Sequence, residues 1–192
     1  LRHDGVFYLE IGATEIGQGS DTAMMQIVAE TIGIKTERIY VETMQDTDKS
    51  PHDFGSYASR QTFVSGMMVK RTAEIVKNKI LKKASELFDK DISKIDIKND
   101  NIVDNYNNIL MNMDEFAKNT YYNVNHSGPI RVEYTGSIED NALAFGCTFV
   151  DIEVDIKTGE IEINEIYNIH DSGKILNPIL AEGQVQGGMS MG

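Results

Sequence analysis

The residues with the clearest potential for chemistry form a glycine-rich segment near the start of the chain. Residues 12–22 have the sequence GATEIGQGSDT and join an apolar, β-branched stretch to one with helical spacing. Glycine amides can approach an anion closely, and a helix N-terminus adds about half a positive charge. The segment is therefore a candidate anion-binding loop. It lacks the Lys-Ser/Thr ending of a P-loop and does not match G-x-G-x-x-G, so plain turn glycines are the competing interpretation.

Other groups that could do chemistry have simpler structural explanations. Acidic and apolar residues alternate between residues 145 and 166, which is typical of strands with one solvated face rather than of paired catalytic acids. Cys147 is the single cysteine, so the chain by itself forms neither an internal disulfide nor a cysteine-based zinc or iron–sulfur site. The histidines show no metal-ligand spacing. Such sparse cysteine usage favours a reducing cytoplasm.

The charge balance limits the kinds of partner. The 192 residues suffice for one large or two small domains, and their formal net charge is −12. Nucleic acids and anionic membrane surfaces bind clustered Lys and Arg, so neither is expected as a partner. No apolar run is long enough for a transmembrane helix. An anionic ligand would have to be held locally, by backbone amides and a few side chains.

Regular elements surround the glycine-rich segment. Residues 6–11 predict a strand, and residues 23–32 predict a helix with Ser20 or Asp21 as its N-cap. Residues 39–44 predict a second strand. A long polar loop follows, and then apolar residues spaced three and four apart predict an amphipathic helix that continues to about residue 87.

The rest of the chain predicts mainly short strands. A turn at residues 99–101 joins two of them, residues 130–134 form another, and residues 145–155 pair with 160–166 in a hairpin whose apolar face is buried. Asn177 and Pro178 start a final helix. That helix contains four glycines, and each costs about 1 kcal/mol inside a helix relative to alanine. This composition predicts the close approach of another backbone or a ligand.

Three motifs in a fixed order give the chain a resemblance to a known family. The first is EIGQG at residues 15–19, and the second is GSYASRQT at residues 55–62. The third combines DSG at 171–173, NP at 177–178 and GQVQGG at 183–188. Together they resemble the molybdenum-binding subunit of the xanthine dehydrogenase/aldehyde oxidase family.

The resemblance implies an α+β fold of mixed sheets and packed helices. Residues 1–192 would form part of a molybdenum-cofactor-binding domain, with subdomains 1–90 and 91–192. The cofactor would be molybdenum–molybdopterin, in its plain form or as a cytosine dinucleotide, and its dithiolene would hold the metal without protein ligands. Amide side chains suit a heterocycle rich in N–H and C=O groups. The residues that match the family's cofactor contacts are Gly17, Gln18, Gly19, Ala58, Ser59, Arg60, Gln61, Thr62 and Gln184.

The resemblance also implies an activity and partners. Family members hydroxylate an N-heterocycle of xanthine, purine or nicotinate type, or an aldehyde, with oxygen from water. The electrons pass to 2Fe-2S clusters and FAD on other domains or subunits, so the expected partners are these subunits and the rest of the molybdenum subunit. The family's glutamate base is expected beyond Gly192. No catalytic role is therefore assigned to Glu10, Glu15 or Glu182, and the chain alone is expected to be inactive.

Two other interpretations stay open on the sequence alone. The first is a structural or assembly module, because the glycine-rich end fits burial against a partner chain as well as it fits a ligand. The second is a nucleotide- or phosphate-binding enzyme unrelated to molybdenum. That enzyme would need a lysine at the end of the first loop or paired aspartates for Mg²⁺, and neither is apparent.

Overall fold

The chain folds into two units that are described separately. A computed structural model describes residues 1–122, 128–139 and 142–192. The N-terminal unit comprises residues 1–139 and the C-terminal unit residues 140–192. Both contain helix and sheet, which confirms the expected α+β class. The subdomains 1–90 and 91–192 differ in extent from these units and stay a prediction. No helix within the described ranges is long and apolar enough to cross a membrane.

The N-terminal unit begins with a strand–helix–strand arrangement. β1 (Phe7–Glu10) and β2 (Ile39–Glu42) pair in parallel, and α1 (Ser20–Ile32) connects them. Glu10 lies opposite Glu42 in this register. Because the strands are parallel, the segments that follow these two residues leave the sheet at the same edge. In sheets of this kind, ligands bind outside the carboxyl ends of the strands.

A long helix supplies much of the core of the N-terminal unit. A single π-helical turn at Gln61–Ser65 leads into α2 (Gly66–Phe88). One face of α2 is apolar at helical spacing and packs against α1, which confirms the predicted amphipathic helix. The residues of α2 that are buried in this core are Val69, Ala73, Ile80, Leu81 and Ala84.

A small antiparallel sheet completes the N-terminal unit. It contains β3 (Ile95–Lys98), β4 (Asn101–Asp104) and β5 (Ile109–Asn112) in that order. The predicted turn between β3 and β4 is confirmed. The Asn112 side chain accepts a hydrogen bond from the Glu115 N–H (2.9 Å) at the start of α3 (Met113–Tyr122). Phe116 of α3 is 1% exposed, so this helix packs into the same core.

The strand predicted at residues 130–134 does not form. The terminal amino group of Leu1 donates to the Ile130 carbonyl (2.9 Å), and Lys79 Nζ donates to the Arg131 carbonyl (3.1 Å). Ile130 is buried, so its carbonyl needs a hydrogen-bond partner, and the Leu1 nitrogen serves in place of a neighbouring strand. The alternating pattern of this segment was therefore misleading.

The C-terminal unit consists of a hairpin and a helix. β6 (Phe145–Val154) pairs with β7 (Ile161–Asp171), and α4 (Pro178–Met191) follows. The Asn177 side chain accepts a hydrogen bond from the Leu180 N–H (3.1 Å), so the predicted start of the helix is confirmed. The expected burial of one hairpin face is wrong for the described residues. The strands are exposed on both faces, and α4 buries none of its residues.

A β-bulge keeps the apolar residues of the hairpin in phase. Ile152 pairs with Ile163, the register then shifts by one residue, and Val150 pairs with Ile166. Residues three apart on a strand would otherwise point to opposite faces. The bulge thus places Ile163 and Ile166 on the same face, and the hairpin presents a continuous apolar stripe.

Candidate functional site

Two of the three motifs lie in loops that leave the parallel strand pair at the same edge. The first loop (residues 11–19) follows β1 and ends at α1. The second loop (residues 43–60) follows β2 and ends at the π-helical turn. The parallel pairing thus gives a physical reason for two motifs that are far apart in sequence to meet in space.

Side chains from the second loop join it to the first. Gln45 Nε2 donates to the carbonyls of Gly12 (3.1 Å) and Ala13 (2.9 Å), and its Oε1 accepts from the Thr14 hydroxyl (2.9 Å). The Ser56 hydroxyl donates to the Thr14 carbonyl (2.9 Å). The two loops also approach closely at Gly12, where an added Cβ would lie 2.1 Å from the Pro51 carbonyl oxygen. The two loops therefore form one connected surface.

Glu15 organises the first loop. Its Oε1 accepts from the N–H groups of Gly17 (2.8 Å) and Gly19 (2.9 Å). Its Oε2 accepts from the Asp21 N–H (3.0 Å) and the Ser20 hydroxyl (3.3 Å). Burial opposes ionisation of this carboxyl, but these hydrogen bonds together outweigh it and hold the pKa of Glu15 below its ordinary value.

The N-cap predicted for α1 is wrong. The N-cap position is Gly19, in the left-handed region at φ 80°, and no side chain at that position caps the helix. Ser20 is the first helical residue and Asp21 the second. The Glu15 carboxylate meets the free amides from outside the helix, so a cap residue at the usual position is not needed. Burial and the nearby Glu15 charge together raise the pKa of Asp21.

Gln18 lies between the two loops. Its Oε1 accepts from the Ile16 N–H (2.6 Å), while its Nε2 donates to the Thr14 carbonyl (3.0 Å) and the Ser20 hydroxyl (3.1 Å). The same Nε2 lies 3.5 Å from Ser56 Oγ of the second loop. Beside it, Gly17 has φ 99° and open space where a Cβ would stand. The first loop is thus held by its own polar groups and open on the side of Gly17.

The second loop turns sharply before the π-helical turn. Ala58 (φ 51°) and Ser59 (φ 54°) are consecutive non-glycine residues in the left-handed region, and both are exposed. Such backbone is uncommon for residues with a Cβ and is concentrated at functional loops. Sequence reasoning places both residues in the cofactor motif, and the structure places them in an exposed turn just before the π-helical turn.

Arg60 is held by a carboxylate that sequence reasoning missed. Its Nη1 donates to Asp53 Oδ1 (2.7 Å) and to the Gly55 carbonyl (2.9 Å), and Asp53 Oδ2 accepts from the Ser65 hydroxyl (3.1 Å). Burial opposes the ionisation of Asp53, but the hydrogen bonds from Arg60, the Gly55 N–H and Ser65 outweigh it and lower the pKa of this carboxyl. The spacing of Asp53 and Gly55 is that of an Asx turn, and this signal could have identified Asp53 from the sequence.

Gln61 is a buried polar residue whose side chain lacks a hydrogen-bond partner among the described residues. Its side chain is 7% exposed, and neither Nε2 nor Oε1 has a hydrogen-bond partner among the described residues. An unpaired buried amide costs about 1–3 kcal/mol, so natural structures seldom retain one without a use. Thr62, the next residue of the motif, is exposed. The π-helical turn that carries both residues is a rare element, found frequently at functional sites.

Gln184 belongs to the C-terminal unit, where it is an exposed residue of α4. Apart from the neighbouring residues and backbone of α4 itself, no described atom lies within 4 Å of the Cβ positions of Gly183, Gly187 and Gly188. The close approach predicted from these glycines is therefore not made by the described part of the chain. That Gln184 and the two loops of the N-terminal unit serve one ligand stays a prediction.

The groups of the two loops suit a polar heterocycle. Gln61 offers one amide donor pair and one acceptor without protein partners, and the Ser59 hydroxyl is exposed nearby in sequence. Among residues 1–122, 128–139 and 142–192, no three His, Cys, Asp or Glu side chains are grouped to hold a metal ion.

Comparison with known proteins identifies the family. The family model described as the molybdopterin cofactor-binding domain matches residues 1–192. The putative xanthine dehydrogenase molybdenum-binding subunit of Escherichia coli K12 is 41% identical over 194 residues, covering 100% of this chain and 26% of the relative. The carbon monoxide dehydrogenase large chain of Hydrogenophaga pseudoflava is 29% identical, covering 95% of this chain and 23% of the relative.

Solved structures show the same fold. Reconstituted CO dehydrogenase from Oligotropha carboxidovorans has a TM-score of 0.84 at 26% identity, covering 98% of this chain and 24% of that one. Quinoline 2-oxidoreductase from Pseudomonas putida 86 has a TM-score of 0.83 at 23% identity, covering 97% and 24% of the two chains. The chain spans about a quarter of the length of these relatives. It belongs to the molybdopterin cofactor-binding domain family, as its resemblance to the molybdenum-binding subunits of xanthine dehydrogenases implied.

Proposed function

We propose that this chain forms part of the molybdopterin site of a molybdenum hydroxylase. The observation that carries the proposal is the connection of the two motif loops through Gln45 and Ser56, beside a buried Gln61 whose amide is unpaired. Family membership supports the same proposal. The cofactor would be molybdenum–molybdopterin, in its plain form or as the cytosine dinucleotide.

The residues of this chain would bind and orient the cofactor. Ser59 would offer its hydroxyl and Gln184 its exposed amide to polar groups of the pterin and its phosphate. The unpaired amide of Gln61 would do the same once the residues that bury it move aside. Gln18 would contribute through the shape of the first loop, because its amide is engaged within that loop. The cofactor, when bound, would supply a centre that accepts two electrons from the substrate. No residue of this chain is proposed as a catalytic base.

We further propose that the substrate is an N-heterocycle of xanthine, purine or nicotinate type, or an aldehyde. The relative named for xanthine supports the heterocycle. The remainder of the molybdenum subunit, 2Fe-2S centres and FAD would complete the electron path in the cytoplasm. A structural module without cofactor is the second candidate, and the exposed apolar stripe of the hairpin favours it because such a stripe can serve as an interface.

Analysis of the complete complex distinguishes these two functions. We expect molybdenum, measured by mass spectrometry, and pterin, measured by fluorescence after oxidation, in equal amounts with the complex. Ser59→Ala and Gln18→Ala are expected to lower both contents, whereas Ser93→Ala, which removes an exposed serine hydroxyl far from the loops in sequence, is not. A wild-type complex without molybdenum would support the structural module. The chain assayed alone is expected to show no turnover of xanthine, nicotinate or aldehydes.

A further inference from the structure

The Glu15 side chain occupies the position at which a helix N-terminus would bind an anion. Within the described residues it accepts four hydrogen bonds, from Gly17 and Gly19 before α1 and from the first two residues of α1, Ser20 and Asp21, and they use both carboxylate oxygens. A carboxylate has about four acceptor positions, so this one is fully engaged. Three of the donors are backbone N–H groups, of Gly17, Gly19 and Asp21. These amides are therefore already paired within the chain.

The first loop has little else to fix its shape on this side. Gly17 has no atom within 4 Å of its Cβ position, and Ile16 is 68% exposed. Both Gly17 and Gly19 have positive φ. In a free chain glycine adopts positive and negative φ about equally, so the residue type alone does not select this conformation. Packing does not select the observed conformation here. The Glu15 carboxylate and the Gln18 amide do so, because together they bond the backbone at residues 14, 16, 17, 19 and 21.

We propose that Glu15 is a positioning residue, a built-in anion that sets the first loop in its cofactor-binding shape and excludes phosphate from the N-terminus of α1. A phosphate could reach the amides of Gly17, Gly19 and Asp21 only by displacing Glu15, which would leave that carboxylate with no partner beside the negative charge of the phosphate. The first loop would thus meet an uncharged part of the cofactor. This consequence rests on the proposed function, whereas the role of Glu15 as an internal anion does not.

The role of the carboxylate can be tested on the complete chain without any cofactor. Amide resonances and hydrogen exchange would be followed by NMR in the wild type, Glu15→Ala and Glu15→Gln. We expect several-fold faster exchange at residues 17, 19 and 21 in Glu15→Ala and an intermediate effect in Glu15→Gln, which keeps one acceptor oxygen. Glu37→Ala, which removes an exposed carboxylate with no hydrogen bond or ion pair in the described part of the chain, is the matched control and should change nothing.

Chemical rescue separates a built-in anion from a merely structural side chain. Acetate or inorganic phosphate, titrated into Glu15→Ala, should shift these three amides in a saturable manner and slow their exchange again. The same anions should leave them unchanged in the wild type. Saturable phosphate binding to these amides in the wild type would overturn the proposal, and so would a Glu15→Ala variant whose three amides exchange as in the wild type. Unchanged protection of α2 shows in each case that the variant is folded.

A second readout concerns the cofactor. In the complete complex, Glu15→Ala is expected to lower molybdenum and pterin content several-fold, and Glu37→Ala is not. Full cofactor content in Glu15→Ala would overturn the positioning role. A wild-type complex without molybdenum would instead contradict the proposed function, and the exchange and rescue experiments would still decide whether Glu15 is an internal anion.

Discussion

Both units of the molecule contain regular helices and strands, but the two units differ in what stabilises these elements. In the N-terminal unit, side chains from β1, β2, α1, α2, β3, β4 and α3 share one buried core. In the C-terminal unit, no described residue is buried, although β6 and β7 pair along ten positions. An isolated two-stranded hairpin is at best marginally stable in water. The comparison teaches that pairing and periodicity specify a hairpin, whereas its stability has to come from surfaces that cover it.

The same comparison explains where the connected loops lie. Binding loops work best when a rigid scaffold holds their ends. The first loop joins β1 to α1, and the second joins β2 to the π-helical turn that leads into α2; these two strands and two helices all contribute residues to the core. Hydrogen bonds between the loops add a further constraint. Gln184 is on a helix that buries none of its residues. The C-terminal motif thus depends more than the other two on whatever covers its unit.

The largest expected effect on the free energy of unfolding tests the difference in burial between the two units. Ile80 is fully buried in α2, whereas Ile163 in β7 is 57% exposed. We expect Ile80→Ala to lower the free energy of unfolding of the chain by about 2–5 kcal/mol, because it leaves a cavity. Ile163→Ala should change it by less than about 0.5 kcal/mol. Urea denaturation followed by circular dichroism measures both values, and equal losses would break the contrast between the units.

An effect of intermediate size on the free energy of unfolding is expected from the unpaired amide of Gln61 in the N-terminal unit. Gln61→Met replaces an unpaired buried amide with an apolar side chain of similar volume, so it should raise the free energy of unfolding of the cofactor-free chain by about 1–3 kcal/mol. In the complete complex the same change should lower molybdenum content. Gln45→Met is the contrasting variant, because the amide of this exposed residue is paired with Gly12 and Ala13, and it should destabilise the chain. If Gln61→Met also destabilises the chain, its amide has a partner.

The smallest effect compares one aspartate from each unit as the pH changes. The pKa of Asp53 is lowered overall, because the hydrogen bonds from Arg60, Gly55 and Ser65 outweigh the opposing effect of burial. Hydrogen bonds from the Lys157 and Thr158 N–H groups lower the pKa of Asp155 in the exposed hairpin turn. A lowered folded-state pKa means that the stabilisation is complete above the pKa of the unfolded chain, about 3.9, and is lost as the pH falls through the folded value.

Two variants test this expectation. Asp53→Asn should lower the free energy of unfolding by about 1 kcal/mol at pH 7, and not by more, because Asn keeps one acceptor oxygen. This difference from the wild type should vanish on acidification, when Asp53 itself becomes protonated. Asp155→Asn should leave the main unfolding transition unchanged at every pH, because no residue of β6 or β7 is buried. Thermal unfolding between pH 2 and pH 7 would show both results. A pH-independent loss in Asp53→Asn would mean that its charge is not the stabilising feature.

Local signals in the sequence predicted most of the elements. The helical spacing of α1 and α2, the turn between β3 and β4 and the Asn177–Pro178 start of α4 each depend on residues close together in the chain, and the structure has them all. The misses involve distant partners. The strand predicted at residues 130–134 does not form, and Leu1 and Lys79 donate hydrogen bonds to carbonyls of this segment in place of a neighbouring strand. The predicted burial of one hairpin face was wrong because an alternating pattern does not say what covers a strand.

The elements on which the motif residues lie were predictable from the sequence, but the interactions of these residues were not, and their part in a site stays a prediction. The motifs indicated where residues 17–19 and 58–62 would lie, and the parallel strands explain why these loops meet. The sequence could not show that Glu15 caps α1, because a cap usually comes from the residue at the helix start. Nor could it show that Asp53 holds Arg60 seven residues away, since that pair depends on the path of the intervening turn.

The close approach at Gly12 has a consequence for any redesign of this surface. With the Pro51 carbonyl oxygen 2.1 Å from where a methyl group would stand, the backbones of the two loops touch without an intervening side chain. A substitution there, or a change in the length of either loop, would move both loops at once. Attempts to alter ligand preference should therefore replace the first and second loops together and keep both Gly12 and Pro51 unchanged.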